Sequence, residues 1–408
     1  MNPADYLDHN QAGLVALLQR LVRVRTVNPP GENYGEITAL LTAALRELGF
    51  SARRLPVPAA AQRAHLPAHP RYNVLGYWDA GARRTIHFNA HYDVVPVSGA
   101  WRHGDAFNPT LDRGWVYGRG SADMKGAIAS IVFALRALRA TGTSPRCNVE
   151  VSFTADEETD SRLGAGWLVE HADLRADYAL VGEGGEGDRV CCGHNGVVWL
   201  EVTVHGRAAH GSTPEKGINA LEKMAALVLA LEEHKAVLAR RSFRAPDGTV
   251  MRPTINTGGV FAEGPGGKIN TVPASATFSI DRRVLALENH VAAERELVAF
   301  LRRAAAAIPR CRVSIRKVSE NFSCYTPPVA GFFAAAQSSV ARVRRRPAGF
   351  MVSTGFNDMH FFAHHLRIPT LGYGPSGRDY HAVDERARVK DLVDAAKVYA
   401  DLLTTFAG

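Results

Sequence analysis

Three β-prone runs of this chain pass straight into side chains that bind metals. "RTIHF" at 84–88 leads to His91 and Asp93, "NVEVSFTA" at 148–155 to Glu157 and Glu158, and "DYALV" at 177–181 to Glu183. Helical patterns alternate with them: "EITALLTAALREL", stopped by Gly49, and "DMKGAIASIVFALRALRATG", ending at Gly142. That alternation specifies an α/β architecture, with a mixed, mostly parallel sheet flanked by helices. Ligands of such open sheets gather beyond the carboxyl ends of the strands, so a single crevice can collect all of these acids and imidazoles.

The pattern changes near residue 196. "VVWLEVTV", a helix around "GINALEKMAALVLALEEH", "TINTGGV", "ATFSIDRRV", a helix at 288–307 and "RVSIRKV" read as a β-α-β-β-α-β unit of the ferredoxin-like, α+β kind. A chain of 408 residues is long enough for two domains. The expected division is therefore a discontinuous first domain, 1–195 with 318–408, interrupted by a second at 196–317. The Pro- and Ala-rich stretch 56–71 reads as a loop.

Composition removes several function classes. No apolar stretch approaches the roughly 18 residues of a membrane helix, and the first residues lack the basic-then-apolar order of a secretory signal, so a cytoplasmic protein with no membrane partner is expected. Five cysteines, two of them adjacent, form neither a disulfide framework nor a CxxC metal signature. The net charge of +8 concentrates in "ARVRRRP" at 341–347 and "ARRSFR" at 239–244. Neither run carries a recognisable nucleic-acid motif, so the expectation is a solvated Arg-rich surface that steers anionic substrates and takes no nucleic acid.

Five places remain: His91 with Asp93, Asp123 in "GRGSADMKG", Glu157 with Glu158, Glu183, and His381 in "RDYHAVDE". Each alone has a plain alternative, such as a packed histidine or a solvated acidic turn. Together, two imidazoles and several carboxylates without thiolate suit Zn²⁺, or Co²⁺ or Mn²⁺ less selectively. Donors that outnumber one tetrahedral shell imply two ions, spaced about 3.5–4 Å when a carboxylate bridges them.

"HYDVVPV", "WVYGRGSADMKGAIA", "TADEE", "GEG", "GRAAHGSTPEKGINA", "NTVPASATFSIDRR" and "HAVDE" occur here in one order over most of the chain. In this the sequence resembles the dinuclear-zinc amidohydrolases and peptidases that include acetylornithine deacetylase, succinyl-diaminopimelate desuccinylase, aminoacylase and glutamate carboxypeptidase. The resemblance implies that Asp123 bridges two metals, His91 and Glu183 complete one shell, and Glu158 and His381 complete the other. It makes Glu157 the general base, with Asp93 orienting His91 from behind by accepting its second N–H. It also implies that the inserted domain is a lid and the contact of a homodimer. His210 would stabilise an oxyanion from there, reaching a partner subunit's site, while Asn270 and Arg283 would bind a substrate carboxylate. Arg282 is the alternative if the register slips by one; Arg283 is preferred because it shares a strand face with Asp281.

Some positions depart from the family pattern. "STGFNDMHFF" at 353–362 stands where relatives have a Gly-rich turn, leaving Gly355 to offer its backbone N–H to substrate while Phe356 and Asn357 replace glycines. In "HNGVV", Val197 and Val198 follow the glycine where desuccinylases carry an Arg, and Glu186 competes with Glu183 in the same Gly-rich segment. The activity expected is hydrolysis of the amide of an N-acyl amino acid. A dipeptidase or carboxypeptidase using the same two-metal site is the alternative. A silent member that only binds such compounds is disfavoured, because the ligands and the base are all present.

Overall fold

The computed structural model describes residues 1–408 apart from 64, 66 and 265–267. Apolar spacing sets the early helices. α1 (Gln11–Arg23) buries Leu14, Leu18, Leu21 and Val22, the stripe of an amphipathic helix. α2 (Tyr34–Glu47) buries Ile37, Leu41 and Leu45 and gives way at Gly49, whose φ of 78° is a left-handed value that costs glycine little. β1 (Ser51–Pro56) pairs antiparallel with β2 (Tyr72–Trp78). The stretch expected as loop between them holds one helical turn, Ala59–Gln62.

β3 (Thr85–His91) is followed by α3 (Lys125–Ala140) and β4 (Asn148–Thr154), and the two strands pair in parallel with His91 opposite Thr154. Every residue of both strands is buried, as happens when helices cover both faces of a parallel sheet. β5 (Tyr178–Val181) flanks β3 on the other side, also in parallel, and β6 (Arg189–His194) follows.

The inserted segment then runs through β7 (Gly196–His205), α4 (Ala220–Leu238), β8 (Thr254–Glu263), β9 (Ser275–Val284), α5 (His290–Ala307) and β10 (Arg312–Asn321). Its sheet has the antiparallel order β8-β9-β7-β10, the β-α-β-β-α-β arrangement of the sequence reading. Burial alternates strictly along β9, and one face packs Val198, Leu200, Val202, Phe278 and Ile280 against Met224, Leu227 and Leu231 of α4 and Leu297 and Leu301 of α5.

The chain returns through α6 (Gly331–Arg344), β11 (Thr370–Gly372) and α7 (Val389–Thr405). The larger sheet has the order β1-β2-β4-β3-β5-β11-β6, with a parallel centre and antiparallel flanks, and the short strands Cys324–Tyr325 and Gly349–Ser353 also pair with β6. Two compact units result: Met1–Gly193 with Tyr325–Ser353 and Asn357–Gly408, and His194–Cys324 with Thr354–Phe356. The far border lies at Cys324 rather than 317 because β10 stays hydrogen-bonded to β7 as far as Asn321.

The basic runs are largely paired. Arg342 meets Asp401 (2.5 Å), Arg344 meets Asp391 (2.7 Å), Arg346 meets Asp188 (3.2 Å) and Arg241 meets Glu296 (2.6 Å). All five cysteines are free thiols. Among the described residues, no helix is long and apolar enough to cross a membrane.

Candidate metal centre

In the larger unit, the carboxyl ends of β3, β4 and β5 deliver His91, Glu157 with Glu158, and Glu183. Asp123 comes from the loop before α3. His381 lies between the short strands Gly377–Arg378 and Arg386–Arg388, at a φ of 60°. The side chains form two groups, His91 with Asp123 and Glu183, and Asp123 with Glu158 and His381; within each, the donor atoms lie within 4.8 Å of one another. Asp123 belongs to both. Its Oδ1 lies 3.2 Å from His91 Nε2 and its Oδ2 lies 3.2 Å from His381 Nε2, which is also 3.2 Å from Glu158 Oε2.

The electrostatics fit cations. Glu158 Oε1 and Glu183 Oε1 are buried without a hydrogen-bond partner, an unfavourable state for carboxylates in the protein alone. Burial, reinforced by Asp123, pushes the Glu183 carboxyl well above its usual range and that of Glu158 to about 6. Burial and then Glu183 push Glu157 well above its range as well. In the opposite sense, hydrogen bonds to Asp123 and Glu158 hold the His381 imidazole up to about 10. Burial works against a charged His91, yet contacts with Asp123 and Asp93 raise it well above its ordinary value. Burial likewise opposes ionisation of Asp123, but the two imidazoles hold its carboxyl low. Crowded buried acids with open lone pairs, two imidazoles and no sulfur make a candidate donor set for divalent cations.

A layer of hydrogen bonds fixes these donors. Asp93 is fully buried; its Oδ1 accepts from the Glu157 N–H (3.1 Å) and its Oδ2 from the Glu158 N–H (3.2 Å). His91 Nδ1 faces the Asp93 main-chain oxygen at 3.1 Å and the carboxylate at 3.5 Å. The ring is thus oriented mainly by a carbonyl, and Asp93's carboxylate instead holds the tip that carries Glu157 and Glu158. An Nδ1–H donating to that carbonyl leaves Nε2 free for a metal. Glu385 plays a similar part for Asp123. Its Oε1 accepts from the N–H groups of Gly120 (3.0 Å), Ala122 (2.9 Å) and Asp123 (3.0 Å), and its Oε2 meets Arg119 at 2.5 Å. Asp358, which contacts Ser161 and Thr154, is another buried acid, pushed up to about 6 chiefly by burial.

Residues 87–405 match the model of peptidase family M20/M25/M40. The chain belongs to this family. Among curated proteins it is similar to the succinyl-diaminopimelate desuccinylase of Afipia carboxidovorans, at 30% identity over 79% of this chain and 83% of that one. The desuccinylase of Cereibacter sphaeroides is 28% identical over 96% of this chain and 98% of its own. Solved structures share the fold. An M20-family metallo-carboxypeptidase from Sulfolobus solfataricus superposes with a TM-score of 0.77 at 19% identity, covering 96% of this chain and 98% of that one. Human carnosine dipeptidase 1 gives 0.73 at 18% identity, covering 98% of each chain. A dinuclear metal-binding M20 peptidase from Bacillus subtilis gives 0.67 at 15% identity, covering 97% and 98%. This M20-family chain is a metal-dependent hydrolase.

The remaining candidates lie in the smaller unit. His210 is exposed, in an isolated bridge opposite Thr271, with Nδ1 2.7 Å from Ser212 Oγ, and the adjacent Gly211 N–H donates to the Asn270 carbonyl (2.7 Å), so His210 and Asn270 are neighbours. Arg283 lies on the half-open face of β9 and donates from Nε (3.2 Å) and Nη2 (2.9 Å) to Asp281 Oδ2, whereas Arg282 is buried against Glu288 at 2.7 Å. Gly355 belongs to the Thr354–Phe356 segment, where Phe356 packs edge-on to Trp199 with centroids 6.3 Å apart.

Sequence reasoning gave no role to Asn28, Arg71, Asp156, Asp358 or Glu385. Asp156, Asp358 and Glu385 stand inside the quoted "TADEE", "STGFNDMHFF" and "HAVDE", whereas Asn28 and Arg71 lie in no quoted motif.

Proposed function

We propose that this M20-family hydrolase cleaves the amide joining an acyl group to the amine of an amino acid, and that Glu157 moves the proton. The observation that carries this reading is the pair of donor groups sharing Asp123, with the Glu157 carboxyl beside them at 3.8 Å from His91 Nε2. His91, Asp123 and Glu183 would hold one ion, and Asp123, Glu158 and His381 the other, with Zn²⁺ the best fit to the donors. Two such ions supply Lewis-acid polarisation of the scissile carbonyl and acidify water near neutral pH. Glu157 takes a proton from the attacking water and returns it to the departing amine; a carboxyl with a raised pKa suits both steps. His210 donates to the oxyanion, Arg283 and Asn270 take the amino acid carboxylate, and the Gly355 N–H orients the acyl group.

The desuccinylase names of the curated relatives support an N-acyl amino acid as substrate. Val197 and Val198, both fully buried, put no cation at the position where desuccinylases carry an Arg, which favours an acyl group other than succinyl. The dimer reading draws support from β8, an edge strand with Val260 and Phe261 53% and 68% exposed, and from Leu229 of α4 at 71%. The absence of a membrane-spanning helix among the described residues fits a cytoplasmic location.

The decisive experiment measures amine release from N-acetyl, N-formyl, N-succinyl and N-aromatic-acyl amino acids beside dipeptides, with Zn²⁺- or Co²⁺-loaded protein. Turnover of an acyl amino acid that falls by about 10²–10⁴ in Glu157→Gln is expected. Turnover of dipeptides alone would move the chain to the peptidase reading.

A further inference from the structure

Glu157 is held from its backbone, and the hold is traceable. Asp156, immediately before it, adopts a φ of 63°, a left-handed conformation that is uncommon outside glycine although aspartate tolerates it better than most residues. The surroundings are visible. Asp156 Oδ2 accepts from Arg71 Nε (2.7 Å), and Oδ1 accepts from Tyr34 Oη (3.0 Å) and Asn28 Nδ2 (3.0 Å). The same Asn28 nitrogen lies 3.1 Å from Asp93 Oδ2, so one amide ties together the two carboxylates that fix the peptides on either side of Glu157.

Arg71 closes this arrangement. Its Nη2 lies 3.3 Å from Asn28 Oδ1, which sets the amide so that its NH₂ faces the carboxylates, and its Nη1 donates to the carbonyls of Pro30 (3.0 Å) and His69 (2.8 Å). The guanidinium lies over the Tyr34 ring at 4.9 Å, and its side chain is 5% exposed. The backbone approaches so closely that a Cβ at Gly31, where φ is 90°, would stand 2.2 Å from Nη1. Four of five donor positions go to Asp156, Asn28 and two carbonyls; none of these partners is a metal ligand. Glu158 is additionally tied through its side chain to His381, whereas the nearest ionic contact of the Glu157 carboxyl is the 3.8 Å approach to His91. A loosened 156–158 tip therefore misplaces Glu157 first.

We infer that Arg71, acting through Asn28 and Asp156, is a positioning residue for the proton carrier Glu157. The inference rests on the reading of Glu157 given above. It implies that Arg71 contributes to turnover without touching substrate or metal.

A double-mutant cycle tests it on the metal-loaded full chain. Arg71→Met should lower kcat by about 10–100-fold, with KM within about twofold and the metal content of the wild type retained. Arg71→Lys, which keeps the charge but loses the planar fork, should fall between the two. In a Glu157→Asp background the same Arg71→Met change should cost less than about threefold, because the aim it protects is already lost. Multiplicative losses in the cycle, an unchanged kcat, or metal loss in step with activity would each overturn the inference. If Arg71→Met does not fold, Tyr34→Phe and Asn28→Ala enter the same cycle with the same expected non-additivity. Glu157→Gln at wild-type kcat would instead remove the reading of Glu157 itself, so the two failures are separable.

Discussion

The two sheets of this molecule are built by opposite rules. The central strands of the larger one are buried on both faces, yet they carry His87, Asn89, Glu150 and Ser152 at full or nearly full burial. These polar groups satisfy one another: His87 meets Glu150 at 2.8 Å and Ser152 at 2.7 Å, and Asn89 meets Ser152 at 3.0 Å and Thr154 at 3.1 Å. In the smaller sheet β9 alternates strictly, with apolar residues inward against two helices and mixed residues on the half-open face. The first is a platform in which register and polarity are fixed by a buried hydrogen-bond network, and the candidate metal donors extend that network at the strand ends. The second is a hydrophobic scaffold whose functional candidates, His210, Asn270 and Arg283, occupy an isolated bridge, a turn and the open face. Chemistry in one unit depends on buried polar order; in the other it depends on what an apolar core displays.

The sharpest test of that contrast is Asp123→Ala. Both donor groups share this one residue, so the variant should lose both ions by elemental analysis and lose activity with them. Retention of a full complement would show that the groups are independent. A smaller effect is expected at Glu385→Gln. The amide keeps an acceptor but loses the charge facing Arg119 and three N–H groups, and metal affinity should fall about 10–100-fold.

A graded test of the same site comes from pH. Without metal, His381 keeps its proton up to about 10 and Glu158 up to about 6, and a ligating nitrogen or oxygen must give its proton up. Metal uptake near pH 7 should therefore release protons, and apparent affinity should rise with pH up to about 10, most steeply below about 6 where Glu158 is protonated as well. Calorimetric titration in buffers of different ionisation enthalpy reads this directly; affinity that is flat or falling with pH would contradict the protonation states of His381 and Glu158.

The same contrast explains what the sequence discloses. The α/β alternation, the β-α-β-β-α-β insertion and the metal-competent strand ends are local patterns, and each is legible. The assignment of Asp123 to both donor groups came only from the family resemblance, because spacing along the chain does not say which acids meet. The small sheet formed by Thr110–Asp112, Trp115–Tyr117, Gly377–Arg378 and Arg386–Arg388, which carries the His381 loop, escaped notice because strands of two or three residues have no readable period. The supporting residues were least visible. Arg71 and Asp156 are 85 residues apart, and Gly120 and Glu385 are 265 apart, so their roles exist only once the chain has closed. In sequence, Arg71 is one arginine in a stretch read as loop.

The smallest expected effect on the metals comes from the largest lesion in the scaffold. Leu227 of α4 is fully buried among residues that all belong to the smaller unit, including Val202, Phe278 and Leu297. Leu227→Ala removes its contacts and leaves a cavity, which should cost about 2–5 kcal/mol of stability. None of the metal donors belongs to that core, so metal content and the pH dependence of metal binding should match the wild type while the chemical-denaturation midpoint falls. A loss of ions in Leu227→Ala at temperatures where the protein remains folded would mean that the polar network of the larger unit draws its order from the apolar scaffold, and the contrast between the two sheets would then be one of composition alone.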